Sequence, residues 1–257
     1  MKKFLRILAT ALVLSCLFVS CSKSKVVINT AADLNGKKIG VQTGTTGEMW
    51  VQDNVQNVSL SSFKTGIDAS LDLKNGAIDA VVLDELPAKE IVSRNSDLVI
   101  IDMDLATEEY AIAVKKGNTE LLSQINQTIN EMKNNGEYVS LVNAFMPVDG
   151  NIVIPATEKS SSSKVVKLGT NAAFPPFEYV EGKDIVGFDI TMGEKIAKTA
   201  NAQLEVVDMA FDSLIPALAS DAIDFIAAGM SVTDERKNNV DFSVPYYQSK
   251  QVVIVRK

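Results

Sequence analysis

The sequence Gly229-Met230-Ser231-Val232-Thr233-Asp234-Glu235-Arg236 reads as a turn from a strand into a helix. It follows a short apolar run, Phe225 to Ala228, that predicts a buried strand. Thr233 then predicts the start of a helix, because it is a capping residue followed by acids in the first turn. In open α/β sheets, ligands lie at the carboxyl ends of the strands, so this turn marks a candidate site.

Arg236 gives this candidate site its chemistry. Its guanidinium carries a permanent positive charge on a planar fork of donors, which suits a carboxylate. The turn therefore predicts a site for a small carboxylate, with a free amino acid as the favoured ligand. The alternative is a surface arginine that only helps a helix to begin.

Composition narrows the class of protein. The chain has 257 residues, enough for one large domain or two small ones, and 46% of them are hydrophobic. It contains no histidine, which excludes histidine bases, histidine metal ligands and histidine-based triads. Its net charge of −7, without a basic stripe, argues against nucleic acid and against direct binding to an anionic membrane surface. We predict no catalytic residue, no metal and no cofactor.

Residues 1–21 predict an export signal. Three basic residues precede an apolar run from Ile7 to Val19, which is too short for a comfortable membrane span. The segment ends before Cys21 in a pattern that resembles a bacterial lipobox, although Phe18 stands where leucine is usual. We predict lipidation at Cys21. Cys16, an uncleaved signal anchor and plain secretion remain alternatives.

Short apolar strands alternate with amphipathic helices along the rest of the chain. Ile78 to Leu83 predicts a strand, and Glu85 to Arg94 predicts the helix that follows it. This alternation indicates βαβ units and a mostly parallel sheet. Residues 149–163 lose the periodicity and end in four serines, which predicts a linker. A second α/β block begins at Val165.

Several blocks of the sequence resemble the polar amino-acid-binding proteins of bacterial ABC importers, solute-binding family 3. After the linker the resemblance lies in Gly169 to Glu178, Gly187 to Asp189, Phe211 to Leu218 and Ser231 to Arg236. Before the linker, Gly40 to Thr46 and Ile78 to Asp84 resemble the second lobe of that family. The resemblance implies an α/β, two-lobed periplasmic-binding-protein fold of the Venus flytrap type, with a ligand cleft between the lobes.

The two halves stand in the opposite order from the family pattern, as in a circular permutation. The resemblance places lobe 2 at 30–104 and lobe 1 at 105–148 plus 164–257. The linker 149–163 would then join the family's usual termini. A permuted chain is tolerated when termini lie close together and the cut is exposed. A tandem-gene remnant and an engineered chain are the alternatives.

The resemblance also implies roles for the ends of the ligand. Arg236 would clamp the α-carboxylate, with Thr45 and Thr46 at a helix N-terminus holding it from the opposite lobe. Ser231 would bind the same carboxylate through its N–H or hydroxyl. Asp84 would accept the α-ammonium, and the carbonyl of Gly229 would assist. Without the resemblance, the threonines and Asp84 would be simple helix caps.

Four further residues are implied to surround the ligand side chain. Phe174 and Phe211 would close on it from two sides, although an aromatic residue at either position could equally belong to the core. Asn171 and Gln42 would face its end. A neutral amide at Asn171 favours a neutral polar or apolar side chain over lysine or arginine.

The predicted function is an exported solute-binding protein, not an enzyme, that delivers an amino acid to an ABC permease. We expect a monomer, anchored by lipid and facing the periplasm or the cell exterior. One alternative is a dehydratase on the same fold, although no acid or base is clearly positioned for it. Another is the ligand-sensing module of a signalling system.

Overall fold

The computed structural model describes residues 27–103, 105–148, 150–156 and 160–257. The predicted signal peptide and the lipidation at Cys21 lie outside the described residues. The described strands are β1 Lys38–Gln42, β2 Ser59–Phe63, β3 Ala80–Asp84, β4 Leu98–Ile101, β5 Thr107–Tyr110, β6 Ala113–Lys115, β7 Val165–Thr170, β8 Ala173–Phe174, β9 Glu178–Glu181, β10 Asp184–Val186, β11 Gln203–Asp208, β12 Phe225–Ile226, β13 Val240–Phe242 and β14 Tyr247–Arg256. The helices are α1 Thr46–Asn54, α2 Gly66–Lys74, α3 Glu85–Ser93, α4 Thr119–Asn135, α5 Glu137–Phe145, α6 Phe188–Thr199, α7 Leu214–Ala219 and α8 Asp234–Lys237.

The first sheet has the strand order β2-β1-β3-β14-β4, and β5 also pairs with β14. Strand β1 runs parallel to β2 and β3, whereas β14 is antiparallel to β3 and β4. Every residue of β3 is buried, as its unbroken Ala-Val-Val-Leu run predicts for a strand covered on both faces. The carboxyl ends of β1 and β3 therefore meet at one edge of this sheet.

The second sheet has the order β11-β7-β12-β6-β13, and a small third sheet has the order β10-β9-β8. Strand β7 is parallel to β11 and β12, and β6 is antiparallel to β12 and β13. The turn that follows β12 leads into α8, as the sequence predicts. Two sheets with flanking helices confirm the predicted α/β class.

An antiparallel ribbon connects the two sheets. Strand β5 leads from the first sheet into β6 of the second, and β13 of the second sheet leads into β14. The two crossing strands pair side by side, with Tyr247 opposite Tyr110 and Ser249 opposite Glu108. Both crossings between the sheets therefore lie in one ribbon.

Strand β14 differs from the predicted lobe boundary. The prediction placed all of 164–257 in lobe 1, but residues Gln251 to Arg256 pair with β3 and β4 of the first sheet. The reason is that the apolar run in β14 fills the gap between those two strands, where Val252, Val253 and Ile254 are buried. The described residues of the linker 149–163 form no helix or strand, in keeping with its composition.

The hydrophobic core runs through both halves of the molecule. One cluster joins Leu73 and Val81 of the first half to Phe177 and Phe188 of the second. A further cluster packs around the first sheet, and a third packs around the second sheet. No helix in the described part of the chain is long and apolar enough to cross a membrane.

Candidate functional site

A small cavity lies where the edges of the two sheets face each other. The space open to the centre of a water molecule is about 10 Å³, room for about one water. Its lining contains all ten predicted ligand residues together with Glu178 and Ala228: Gln42, Thr45, Thr46, Asp84, Asn171, Phe174, Phe211, Gly229, Ser231 and Arg236. Residues that are distant in sequence thus converge as the motifs predict, although their roles toward a ligand stay predictions.

Arg236 is buried in this cavity, with 5% of its surface exposed. Helix α8 holds it in place, because the hydroxyl of Thr233 caps the helix by accepting from the Arg236 backbone N–H at 3.1 Å. The guanidinium donates to the carbonyl of Ser231 at 2.7 Å and to that of Gly44 at 2.9 Å. It also lies over the ring of Phe211, 5.3 Å from its centroid. Burial lowers the pKa of Arg236, and the charge of Glu108 opposes that shift.

Arg236 therefore bridges the two halves of the molecule. The Ser231 carbonyl follows a strand of the second sheet, and the Gly44 carbonyl follows β1 of the first. Such a buried cation is not the surface arginine of the alternative interpretation. A buried guanidinium attracts an anion strongly, because the low local dielectric strengthens charge interactions.

Thr45 and Thr46 begin helix α1 but use their hydroxyls differently. Thr45 caps the helix, accepting from the Glu48 backbone N–H at 3.4 Å and donating to the Gln42 carbonyl at 2.8 Å. Thr46 donates instead to a carboxyl oxygen of Glu108 at 2.8 Å. The capping alternative thus describes the hydroxyl of Thr45, whereas the hydroxyl of Thr46 holds an anionic group.

Asp84 ends β3 and precedes α3, yet its side chain does not cap that helix. Instead it accepts from the hydroxyl of Tyr110 at 2.5 Å and from that of Ser249 at 3.3 Å. Burial, followed by the nearby charge of Glu108, raises the pKa of Asp84 to about 7. Asp84 is thus a buried acceptor facing the cavity, and a cationic partner would favour its charged form.

Gly229 lies in the left-handed region, with a φ of 52°. Its N–H donates to a carboxyl oxygen of Asp189 at 2.9 Å. A Cβ at this position would lie 2.6 Å from the ring of Phe174 and 3.3 Å from that of Tyr110. Glycine is therefore required here both by the backbone and by the aromatic side chains that pack on it.

Gln42 and Asn171 both line the cavity and contact each other. The Gln42 amide donates to the Asn171 carbonyl oxygen at 2.8 Å, and Asn171 in turn donates to the Met209 carbonyl at 2.8 Å. Gln42 belongs to the first sheet, and Asn171 follows β7 of the second. This pair is a neutral contact between the two sheets, and its role toward a ligand side chain stays a prediction.

Glu108 is a residue that the sequence interpretation missed. One of its carboxyl oxygens accepts from Thr46 at 2.8 Å and from the hydroxyl of Ser231 at 2.5 Å. The other accepts from the amide of Gln251 at 3.2 Å. A signal for it was present, since alternate residues of a strand share a face and Glu108 stands two positions before the buried Tyr110.

Glu178 and Asp189 form a second acidic feature, on the side of the third sheet. Glu178 lines the cavity and is 1% exposed. Burial, then the charge of Asp189, raises the pKa of Glu178 well above its ordinary value. Asp189 accepts from the Tyr246 hydroxyl at 2.7 Å, and burial raises its pKa to about 6. The described residues contain no group of acidic, cysteine or histidine side chains arranged to hold a metal ion.

Part of the chain matches known proteins. Residues 166–257 match the family described as bacterial extracellular solute-binding proteins, family 3. The chain is 45% identical over 97 residues to the arginine-binding extracellular protein ArtP of Bacillus subtilis, which covers 38% of each chain. It is 40% identical over 102 residues to a probable histidine-binding protein of Campylobacter jejuni. This alignment covers 40% of each chain. It is also 36% identical over 123 residues to the L-cystine-binding protein TcyJ of Escherichia coli, covering 48% of this chain and 46% of that protein.

These matches confirm the predicted family resemblance, with the family match lying in residues 166–257. The chain spans less than half the length of each of these three relatives. All three are named as amino-acid-binding proteins, and none of the three names is that of an enzyme.

Proposed function

We propose that this protein captures a free amino acid between its two sheets and delivers it to an ABC importer without transforming it. One observation carries the proposal: a single buried cavity combines the Arg236 guanidinium with the Asp84 carboxyl, and both halves of the molecule contribute to it. An α-amino acid carries the complementary pair of charges on two groups attached to the same carbon. The names of the relatives support a ligand of this class.

The α-carboxylate would bind Arg236 and the hydroxyls of Thr46 and Ser231. These donors lie close together, since both hydroxyls already reach one carboxyl oxygen of Glu108, at 2.8 and 2.5 Å. Charge-assisted hydrogen bonds of this kind are roughly twice as strong as neutral ones. Thr45 supports this group by fixing the first turn of α1.

The α-ammonium would bind Asp84, with the carbonyl of Gly229 as a second acceptor. Asp84 accepts from the hydroxyls of Tyr110 and Ser249, which are neutral donors, so an ammonium would add a charged one. Phe174 and Phe211 would cover the ligand and exclude water from these bonds. The Gln42–Asn171 pair would meet the end of the side chain, which favours a neutral ligand side chain.

Binding requires the two sheets to separate and close again. The present cavity of about 10 Å³ is too small for an amino acid. The β5–β14 ribbon supplies the hinge for that movement. Since the ligand would contact both halves only when they are together, it stabilises the closed state by this difference in contacts.

The permuted chain order is part of the proposal. Ile28, near the start of the described chain, packs in the same cluster as Val253 and Val255 of β14. The family's usual order would run directly from β14 into this segment. Swapped halves also account for relatives that align over only part of their length, since a colinear alignment can cover one half at a time.

Export and anchoring complete the proposal. The basic and apolar segment before Cys21 would direct the chain out of the cytoplasm, and acylation at Cys21 would hold it at the membrane. There a monomer would meet the permease that accepts its ligand. The descriptions of the family and of ArtP as extracellular support this location.

Calorimetric titration tests the proposal. Residues 22–257 would be unfolded and refolded to remove carried-over ligand, then titrated with the twenty standard amino acids and L-cystine. We expect saturable one-to-one binding of one or a few of them, with the ligand recovered unchanged. A folded protein that binds none of them, or that converts the ligand it binds, would contradict the proposal.

A further inference from the structure

Glu108 occupies the position that the proposed function gives to the carboxylate of the ligand. Its oxygen Oε2 accepts from Thr46 at 2.8 Å and from Ser231 at 2.5 Å. These two hydroxyls belong to opposite halves of the molecule and are both predicted to bind the ligand carboxylate. A carboxylate is thus already bound there, and it belongs to the protein.

We propose that Glu108 is a further residue of the binding site and acts as a tethered competitor of the ligand carboxylate. This inference rests on the proposed function, since it concerns the same group of donors. The incoming amino acid must displace Glu108 from Thr46 and Ser231 before it can bind them. Glu108 therefore sets a threshold of affinity that only a well-matched ligand overcomes.

The location of Glu108 suits this role. It lies on β5 of the hinge ribbon, directly opposite Ser249, and its second oxygen accepts from Gln251 at 3.2 Å. Because it is attached to the hinge, its carboxylate stays at a high effective concentration beside the site. Movement of the ribbon would change its distance from both hydroxyls, so opening of the sheets and release of Glu108 are coupled.

The charges around Glu108 explain how a ligand can displace it. Glu108 lies near Arg236, which attracts it, and near Asp84, whose protonated form it favours. A zwitterion replaces the carboxylate of Glu108 with its own and adds an ammonium for Asp84. A simple carboxylate makes the first exchange but not the second, so the competitor selects for amino acids.

Glu108→Ala tests the inference, with Glu109→Ala as the matched control. Glu109 is exposed at the next position of the same strand, whereas Glu108 is half-buried and accepts from Thr46 and Ser231. Both variants would be titrated with the amino acids that the wild-type protein binds. If Glu108 blocks the site for about nine-tenths of the time, Glu108→Ala should bind about tenfold more tightly, with Glu109→Ala unchanged. Unchanged or weaker binding by Glu108→Ala would overturn the inference.

Glu108→Gln provides a second variant in case the alanine variant does not fold. The amide keeps the size of the side chain and one acceptor oxygen but loses the charge that Arg236 attracts. We expect its affinity for the ligand to lie between those of the wild type and Glu108→Ala. An affinity at or below that of the wild type would count against competition by the carboxylate.

A measurement without an amino acid separates this inference from the proposed function. Sodium formate supplies a free carboxylate small enough to replace the one removed in Glu108→Ala. We expect formate to raise the melting temperature of Glu108→Ala more than sodium chloride at equal ionic strength does, and to leave Glu109→Ala at the wild-type response. Such a rise supports a carboxylate subsite at Thr46 and Ser231 even if no amino acid binds, in which case only the proposed function fails. The absence of this rise would overturn the inference even if amino acids bind.

Discussion

At the scale of single residues, substitution of Arg236 is the strongest test of ligand binding at this site. Arg236→Ala should weaken amino-acid binding by about thirtyfold to a few thousandfold, since truncating one partner of a buried charge pair costs about 2–5 kcal/mol. Arg236→Lys keeps the charge but lacks the planar fork, so we expect a smaller loss. Lys237→Ala, at the exposed neighbouring position of α8, is the control and should bind normally in the same titration. Normal binding by Arg236→Ala would place the carboxylate elsewhere.

Asp84 should make the stability of the protein depend on pH. Its pKa is raised to about 7 in the folded protein, mainly by burial, whereas an unfolded aspartate ionises near pH 4. Between these values the folded protein holds a proton that the unfolded chain has lost. The free energy of unfolding that the protonated Asp84 contributes is therefore fully present below pH 4 and is lost as the pH rises through 7.

Asp84→Asn should remove this dependence. Relative to the wild type, the variant should gain on the order of a few kcal/mol in free energy of unfolding between about pH 4 and pH 7. Urea denaturation at several pH values measures it. The raised pKa of Asp189, about 6, acts in both proteins and cancels in the comparison. The exposed Asp53→Asn should show no such change, and a difference between Asp84→Asn and wild type that is constant with pH would contradict the assignment.

The residues of the site were predictable to different degrees. Arg236 and Asp84 follow strands and carry charge, so the pattern of the chain alone draws attention to them. Glu108 was missed because a single acid in a polar strand looks like a solvent-facing residue. Its role depends on Thr46 and Ser231, which only the folded chain brings to it. Strand alternation places Glu108 on the same face as Tyr110, but its partners are set by tertiary packing and have no local pattern.

At the scale of elements, the turn between β12 and α8 depends on glycine. Gly229→Ala would combine an unfavourable φ with a Cβ only 2.6 Å from the ring of Phe174. Gly182, in the turn between β9 and β10, has a φ of 65° but open space around it. The two alanine variants therefore share backbone strain and differ in steric conflict.

We expect Gly182→Ala to lower the free energy of unfolding by about 1 kcal/mol, from backbone strain alone. Gly229→Ala should lose roughly 1–3 kcal/mol more, because overpacking adds to that strain. Urea denaturation compares the two variants. Equal losses would show that Phe174 and Tyr110 can move aside without cost.

Strand existence was easier to predict than strand partners. The apolar runs of β1, β3 and β14 are visible in the sequence, and each forms a strand. The position of β14 between β3 and β4 was not predicted, since strand order depends on pairings across the whole chain. The prediction followed chain continuity and left this strand with the second half, whereas burial of its apolar residues places it in the first sheet.

At the scale of the whole molecule, the order of the halves can be tested directly. A rearranged chain would run from residue 164 to 257 and continue from residue 22 to 148. Since Ile28 and Val255 already share a cluster, this join should preserve the core. We expect the rearranged protein to fold and to bind the same amino acid with an affinity in the same range, as measured by calorimetry.

A second rearrangement serves as the control. A chain opened between residues 249 and 250 would cut β14 within its pairing with β5, and we expect it not to fold stably. If instead the first rearranged chain folds but no longer binds the ligand of the original, the halves are not simply exchanged. The swapped order would then contribute to the site itself.

The place of β14 in the first sheet also bears on synthesis and secretion. Strands β1 to β4 leave the ribosome long before β14, which pairs with β3 on one side and β4 on the other. Until β14 emerges, that half of the molecule lacks an interior strand and cannot complete its fold during translation. On the proposed export route, a channel that takes unfolded chains would therefore receive this one before its first sheet is complete.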